Sequence, residues 1–155
     1  MARPTADDLF ARHHRDVYRY LVRMTGRRDE ADDLSQDVFL RVVRALENGG
    51  PPGHERAWVF SIARNLLADR WRQDQRRGIE VEQVLEPAAE GTQALAVGLA
   101  EALGRLPDAD REMFLLREIG GLSYQELAAV SDSTVEAVRA RLWRARSALR
   151  RLLSL

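Results

Sequence analysis

The chain has 155 residues, 45% hydrophobic but only 6% aromatic, so any core must be built mainly from Leu, Val, Ala and Ile, in one domain or two small ones. It contains no cysteine, which excludes a disulfide framework and a zinc ribbon or finger and suits a reducing compartment. The formal charge is zero, but all 24 basic residues are arginine and they cluster, and arginine is the better residue for bidentate contacts to phosphate and guanine.

The N-terminus, Met1 to Asp8, has no apolar run and does not read as a signal peptide, and no stretch approaches the roughly 20 apolar residues that cross a bilayer. The pattern is helical throughout, with no alternating strand pattern and no hairpin signal. A first helix is predicted over Ala6 to Thr25, capped by Thr5, favoured at its positive end by Asp7 and Asp8, and ended by Gly26. Its expected inner face is Phe10, Val17, Leu21 and Met24, with Tyr18 beside them. A second helix starts near Asp29 and stops at Asn48-Gly49-Gly50, with Ala31, Leu34, Val38, Val42 and Ala45 inward. The loop Gly49-Gly50-Pro51-Pro52-Gly53 follows, then a third helix from Glu55 to Gln75 with Val59, Ile62, Ala63 and Leu66 inward. From Gly78 to Gln93 the pattern fails, and Glu80, Glu82, Glu86 and Glu90 occur with no basic residue. This reads as a flexible acidic linker, with room for a short helix around Val81 to Leu85.

Helical spacing resumes over Ala94 to Leu106 and breaks at Pro107. Asp108 or Asp110 is placed to cap the next helix, which ends at Gly120-Gly121. Ser123-Tyr124-Gln125-Glu126 and Ser133-Thr134-Val135-Glu136 both fit the capping box. Two helix starts ten residues apart predict a short helix, a tight turn and a long last helix, which is a helix-turn-helix. On that last helix Val135, Val138, Leu142, Ala145, Leu149 and Leu152 form one stripe, and Arg139, Arg141, Arg144, Arg146, Arg150 and Arg151 the other face. Alone this would be an amphipathic helix with a solvated basic face. Behind a capped helix and turn, its N-terminal half is expected in a major groove, with Arg139, Arg141 and Arg144 within reach of bases.

The third helix interleaves Trp58 and Trp71 with Arg64, Arg70 and Arg72, the mixture that single-stranded nucleic acid binders use for stacking and phosphate contact, although large aromatics at helical spacing also pack. The second helix is acidic, with Asp29, Glu30, Asp32, Asp33 and Asp37 beside Gln36, Phe39 and Arg41, and suits a protein partner rather than DNA. His13 and His14 are adjacent and His54 is remote, which makes no metal site; no metal, cofactor or catalytic constellation is expected.

The run Asp29-Glu30-Ala31-Asp32-Asp33-Leu34-Ser35-Gln36-Asp37-Val38-Phe39-Leu40 and the run Ala57-Trp58-Val59-Phe60-Ser61-Ile62-Ala63-Arg64-Asn65 resemble region two of the extracytoplasmic-function (group IV) RNA polymerase sigma factors. Leu122 to Ala128, followed by Val138 to Arg146, resembles region four of the same family, in the same order and with a linker between. The resemblance implies an all-α chain of two small helical domains: region two over 1–77, a flexible acidic linker over 78–93 and region four over 94–155. It implies a cytoplasmic DNA-binding specificity subunit and not an enzyme, monomeric when free, whose partners are core RNA polymerase, promoter DNA and an anti-sigma factor. By the same resemblance Asp32, Asp33, Gln36, Asp37 and Phe39 dock on polymerase. Asn48, His54, Trp58, Arg64, Asn65, Arg70 and Arg72 serve the minus-ten element, where loop and helix capture an extruded base. Ser133, Thr134, Arg139, Ala140, Arg141, Trp143 and Arg144 serve the minus-thirty-five element.

The chain departs from the family pattern at Ser131-Asp132-Ser133, where the turn usually carries a glycine, at Glu136-Ala137 in place of a glycine-threonine pair, and at Ala140. Asp132 can take a left-handed conformation, and Glu136 could accept a hydrogen bond from a cytosine amine. No further domain is expected after the helix-turn-helix. The competing reading is a stand-alone helix-turn-helix repressor with a helical dimerisation domain.

Overall fold

A computed structural model describes residues 3–50, 53–78 and 93–154. The described residues form α1 (Ala6–Thr25), α2 (Arg28–Glu47), α3 (Glu55–Arg76), α4 (Gln93–Gly104), α5 (Asp108–Glu118), α6 (Tyr124–Val130) and α7 (Val135–Leu152), with no strand among them. The expected acidic linker and its short helix lie outside the described residues. Helices α1 to α3 pack into one small domain and α4 to α7 into another, and α1 and α3 touch α5 and α6 across the junction. No helix among the described residues is long and apolar enough to cross a membrane.

Local chemistry accounts for the helix ends. Thr5 Oγ accepts from the Asp8 amide at 3.1 Å while the Asp8 carboxylate accepts from the Thr5 amide at 2.9 Å, a complete capping box at the start of α1. Gly26 ends α1 at φ 71, a left-handed conformation that costs a glycine little, and its N–H donates to the Val22 carbonyl. Thr25 Oγ donates to the Leu21 carbonyl and accepts from the Arg27 amide, which fixes the corner into α2.

Of the expected inner face of α1, Val17, Leu21 and Met24 are buried and Phe10 is not. Leu9, His13, Val17, Tyr20, Leu21 and Met24 are buried, whereas Phe10 is 49% exposed and Tyr18 only partly buried. Phe10 follows Leu9 by one residue, about 100° around the helix. There it stacks on His14, with centroids 4.4 Å apart, and meets the Phe39 ring edge-on at 5.1 Å. On α3, Val59 and Ala63 are buried as expected, but the core is completed by Phe60 and Leu67, while Ile62 and Leu66 are only partly buried.

In the second domain α7 lies against α5 and α6 through Val138, Leu142, Ala145 and Leu149, all buried, whereas Leu152 at the end of the expected stripe is 39% exposed, because the last turn of the helix runs past its neighbours. Two expected caps are corrected. Pro107 occupies the cap position of α5 with no side-chain hydrogen bond; Asp108 instead binds Arg111 at 2.8 Å, and Asp110 turns into the domain, 4% exposed. The box at Ser123 and Glu126 forms, but the second one does not. Asp132 takes φ 50, which displaces the start of α7 by one residue. Thr134 becomes the cap, accepting from the Ala137 amide at 3.1 Å, and the alanine has no side chain that could reach back. Ser133 bonds Ser131 Oγ instead, and its amide donates to the Ala128 carbonyl, so the turn is closed without a glycine.

Candidate polymerase and nucleic-acid interfaces

The outer face of α2 is acidic and apolar together. Asp32, Asp33 and Gln36 are exposed on it, and so are Leu40 and Val43, which sequence periodicity leaves unexplained as partners of any core. One of the five predicted residues lies elsewhere. Phe39 is only 9% exposed, turned toward α1 and covered by Phe10. Asp37 is exposed one turn after Asp33, at the edge of the face nearest α3, where its carboxylate lies 4.0 Å from the Arg70 guanidinium. Apolar exposure near Phe39 therefore comes from Phe10, Leu40 and Val43.

Trp58, Asn65 and Arg72 recur every seven residues along α3, so they share one stripe with a repeat of about 10.5 Å. Trp58 and Asn48 come together, with Arg41, Arg44, Ala45 and Ile62, around an open cavity of about 410 Å³ between α2 and α3. Arg41 and Arg44 are the additions that sequence reading does not single out here. Asn48 Nδ2 donates to the Arg44 carbonyl, and His54 sits exposed at the cap position of α3 without a capping bond. Arg72 pairs with Asp69. Arg64 is set apart: it points away from the stripe and donates to Glu112 of α5, in the other domain, at 2.6 Å.

On α7, Glu136, Arg139, Ala140 and Trp143 form the outward surface of the first turns, and Trp143 is 70% exposed. Such exposure is unusual for a large aromatic in a packed domain. The Arg139 guanidinium lies over the Tyr124 ring at 5.9 Å, and Arg117 over the same ring at 5.1 Å. Arg141 is half-buried. Both nitrogens of Arg144 that face α5 donate to Asp110, each at 3.2 Å, and Arg146 pairs with Glu118 at 3.5 Å. Thr134 is exposed at the cap, and Ser133 is half-buried in the turn.

Between the domains lies a polar junction that sequence pattern does not reveal. Arg56 Nη2 donates to Asp16 and to the Ile119 carbonyl, each at 2.6 Å, and its Nε donates to the Gly120 carbonyl. His13, buried, bridges Glu55 Oε2 at 2.9 Å and lies 3.3 Å from Arg56 Nη1. Tyr20 is fully buried; burial, and then the nearby Glu112 carboxylate, hold its phenol well above its ordinary pKa. Arg111, also fully buried, is drawn below the ordinary arginine value by burial, against the opposing pull of Asp108. Among the described residues no group of three His, Asp or Glu side chains is placed to hold a metal ion.

The pattern for Sigma-70 region 2 matches residues 9–77, and that for Sigma-70 region 4 matches residues 97–149. The chain is 35% identical to the ECF RNA polymerase sigma factor SigE of Mycolicibacterium smegmatis over 96% of its own length, spanning 62% of that protein. It is 32% identical to the ECF RNA polymerase sigma factor EcfG of Rhodopseudomonas palustris, covering 86% of this chain and 77% of that one. Among solved structures it is similar to the sigma factor RpoE of Bartonella quintana, solved in complex with the anti-sigma factor NepR. The TM-score is 0.83 at 25% identity, over 94% of both chains.

Proposed function

The chain belongs to the extracytoplasmic-function RNA polymerase sigma factors, and from that premise we propose that its two helical domains divide the work of promoter-directed initiation in the cytoplasm. The domain over 1–77 grips core polymerase and opens the minus-ten element, the domain over 94–155 reads the minus-thirty-five element, and 78–93 tethers them. Polymerase supplies the chemistry.

The observation that carries this reading is the opposite character of two exposed helical faces on separate domains. On α2, Asp32, Asp33 and Gln36 surround exposed Leu40 and Val43, a face that suits a protein with apolar ground and basic rim. On α7, Arg139, Ala140 and Trp143 project from a helix-turn-helix whose opposite side is packed through Val138, Leu142, Ala145 and Leu149. An arginine there can donate to guanine N7 and O6, and the alanine and tryptophan can meet a thymine methyl. The cavity bordered by Asn48 and Trp58 has room for an extruded base, with Arg41 and Arg44 at its edge for the adjoining phosphates. Asn65 and Arg72 continue the same stripe. Asp37 and Phe39 are assigned supporting places at the rim of the polymerase face.

An anti-sigma factor is proposed as the inhibitory partner, on the strength of the similarity to a sigma factor solved with one bound. The stand-alone repressor reading is not favoured, because both domains match sigma regions and a repressor leaves the acidic-apolar face of α2 without a role. Run-off transcription with purified core polymerase on a randomised promoter library tests the proposal. The expected result is transcript from templates sharing two spaced motifs; tight binding of duplex DNA by the chain alone, with no transcript, would overturn it.

A further inference from the structure

The outward surface of the last helix carries one charge of the wrong sign for DNA. Glu136 stands in the first turn of α7, exposed, and among the described residues it makes no hydrogen bond or ion pair. Its neighbours on that surface are Arg139, Ala140 and Trp143, at offsets of three, four and seven residues, which place all four side chains within about 100° of arc. Glu136 and Arg139 have the spacing of a helical ion pair, yet none forms. The Arg139 guanidinium lies over the Tyr124 ring instead, 5.9 Å from its centroid, with Arg117 over the same ring. Both charges are therefore left to a ligand.

In a groove a carboxylate discriminates in a way that arginine does not, because it only accepts hydrogen bonds. Phosphates repel it. Guanine and thymine offer it acceptors, adenine sets its N7 acceptor beside the N6 amine, and cytosine alone presents an amine with no acceptor of its own. A negative charge at this end also suits the helix dipole, but Thr134 already caps the Ala137 amide at 3.1 Å. The dipole accounts for the charge and leaves a repulsive group facing the duplex, which a cytosine amine offsets. Along the helix axis Glu136 and Arg139 are about 4.5 Å apart and Glu136 and Trp143 about 10.5 Å, against roughly 3.4 Å for each base-pair step. Glu136 thus meets a pair one or two steps from the one that Arg139 meets.

We propose that Glu136 is a specificity-determining residue of the minus-thirty-five contact. Its carboxylate accepts from the N4 amine of one cytosine, on either strand, one or two pairs from the guanine that Arg139 takes. The proposal rests on the reading of α7 as the minus-thirty-five helix. Glu136 works chiefly by exclusion: where the amine is missing, the carboxylate is pressed against acceptors and phosphates, and the wrong sequence is rejected.

Holoenzymes formed from core polymerase and the full chain, as wild type, Glu136→Gln and Glu136→Ala, test this on a promoter library randomised over the minus-thirty-five element, with transcripts counted by template. Wild type should favour cytosine roughly tenfold at one position within two pairs of a selected guanine, the size of one base contact. Glu136→Gln should move that position, and no other, to adenine, whose N6 and N7 an amide meets together. Glu136→Ala should accept all four bases there. Arg139→Ala, run beside them, should lose the guanine and keep the cytosine, which fixes the spacing between the two contacts. An identical base profile in wild type and both Glu136 variants overturns the proposal. So does a uniform loss across all templates, the sign of a purely structural role at the start of α7, and so does a wild-type profile with no cytosine near the guanine. If wild-type holoenzyme gives no transcript from any template, the proposed sigma function itself falls, and the role of Glu136 with it.

Discussion

Helices α3 and α7 are both amphipathic and arginine-rich, yet they spend their arginines differently. On α7 the outward residues of the first turns, Arg139, Ala140 and Trp143, face solvent, and the arginines that are tied down, Arg144 and Arg146, are held by α5 of the same domain. On α3 Arg72 pairs within the helix, with Asp69, while three other arginines are held by other elements: Arg70 faces Asp37 of α2, and Arg56 and Arg64 cross to the end and the body of α5 in the other domain. Composition along a helix does not decide which basic residues are offered to a ligand. The placement of carboxylates on neighbouring helices does.

That contrast breaks first if α7 loses its support. Leu142 is 1% exposed between α7 and its neighbours, and Leu142→Ala should destabilise the chain by about 3 kcal/mol, the loss of transfer energy plus a cavity. Urea denaturation checks it, and a loss under 1 kcal/mol would mean that the recognition helix is not anchored by its apolar stripe. Next comes Arg139→Ala, which should weaken minus-thirty-five binding by about 2 kcal/mol, roughly thirtyfold, and cost at most about 0.5 kcal/mol of stability, because its contact with the Tyr124 ring is long and Arg117 covers the same ring. A footprinting titration with the assembled holoenzyme reads the first quantity and a thermal melt the second. Arg144→Ala is the counterpart with the opposite signature. It strips the partner from Asp110, which is nearly buried, and should cost about 1.5 kcal/mol of stability; Arg144 is itself half-exposed, so the loss falls short of that for a fully buried pair. Equal melting temperatures for Arg139→Ala and Arg144→Ala would erase the distinction between offered and structural arginines.

Much of this architecture can be read in the residues, and what cannot has a common cause. Thr5, Gly26 and Ser123 mark their helix ends correctly because caps are local, determined by neighbours three or four residues away. The helix-turn-helix is legible for the same reason, down to the left-handed Asp132. Errors appear where the outcome depends on rotation by one residue or on distant partners. Phe10 and Leu9 are equally apolar in the sequence, and only the packing of α1 on α2 decides that Leu9 goes inside and Phe10 covers Phe39. The second helix cap falls on Thr134 and not Ser133, with no reciprocal box, after the left-handed turn residue Asp132. Arg56 and Glu112 escape notice altogether, because the carbonyl partners of Arg56 just past α5 lie 63 and 64 residues away and Glu112 pairs 48 residues back, beyond anything helical periodicity encodes.

The smallest expected effect reads the junction between the two halves directly. The Tyr20 hydroxyl is buried between α1 and α5 with no hydrogen-bond partner, edge-on to Phe60 at 5.8 Å and near Glu112, Arg64 and Arg111. Removing it by Tyr20→Phe should raise stability by about 1 kcal/mol at neutral pH, since an unsatisfied buried hydroxyl is a cost. The sign in alkali follows from the raised phenol. In the unfolded chain Tyr20 ionises near pH 10, whereas in the folded chain burial, then Glu112, keep it protonated well above that. Its contribution is therefore intact below pH 10, and wild-type stability falls as pH rises from 10 toward the folded value, at about 1.4 kcal/mol per pH unit for one proton. The chain contains no lysine and arginine does not titrate there, and Tyr18 and Tyr124 are common to both proteins, so the difference between them isolates Tyr20. Tyr20→Phe should flatten the slope. If the two proteins instead lose stability in parallel between pH 9.5 and 11, Tyr20 is open to water and the two domains do not close over it.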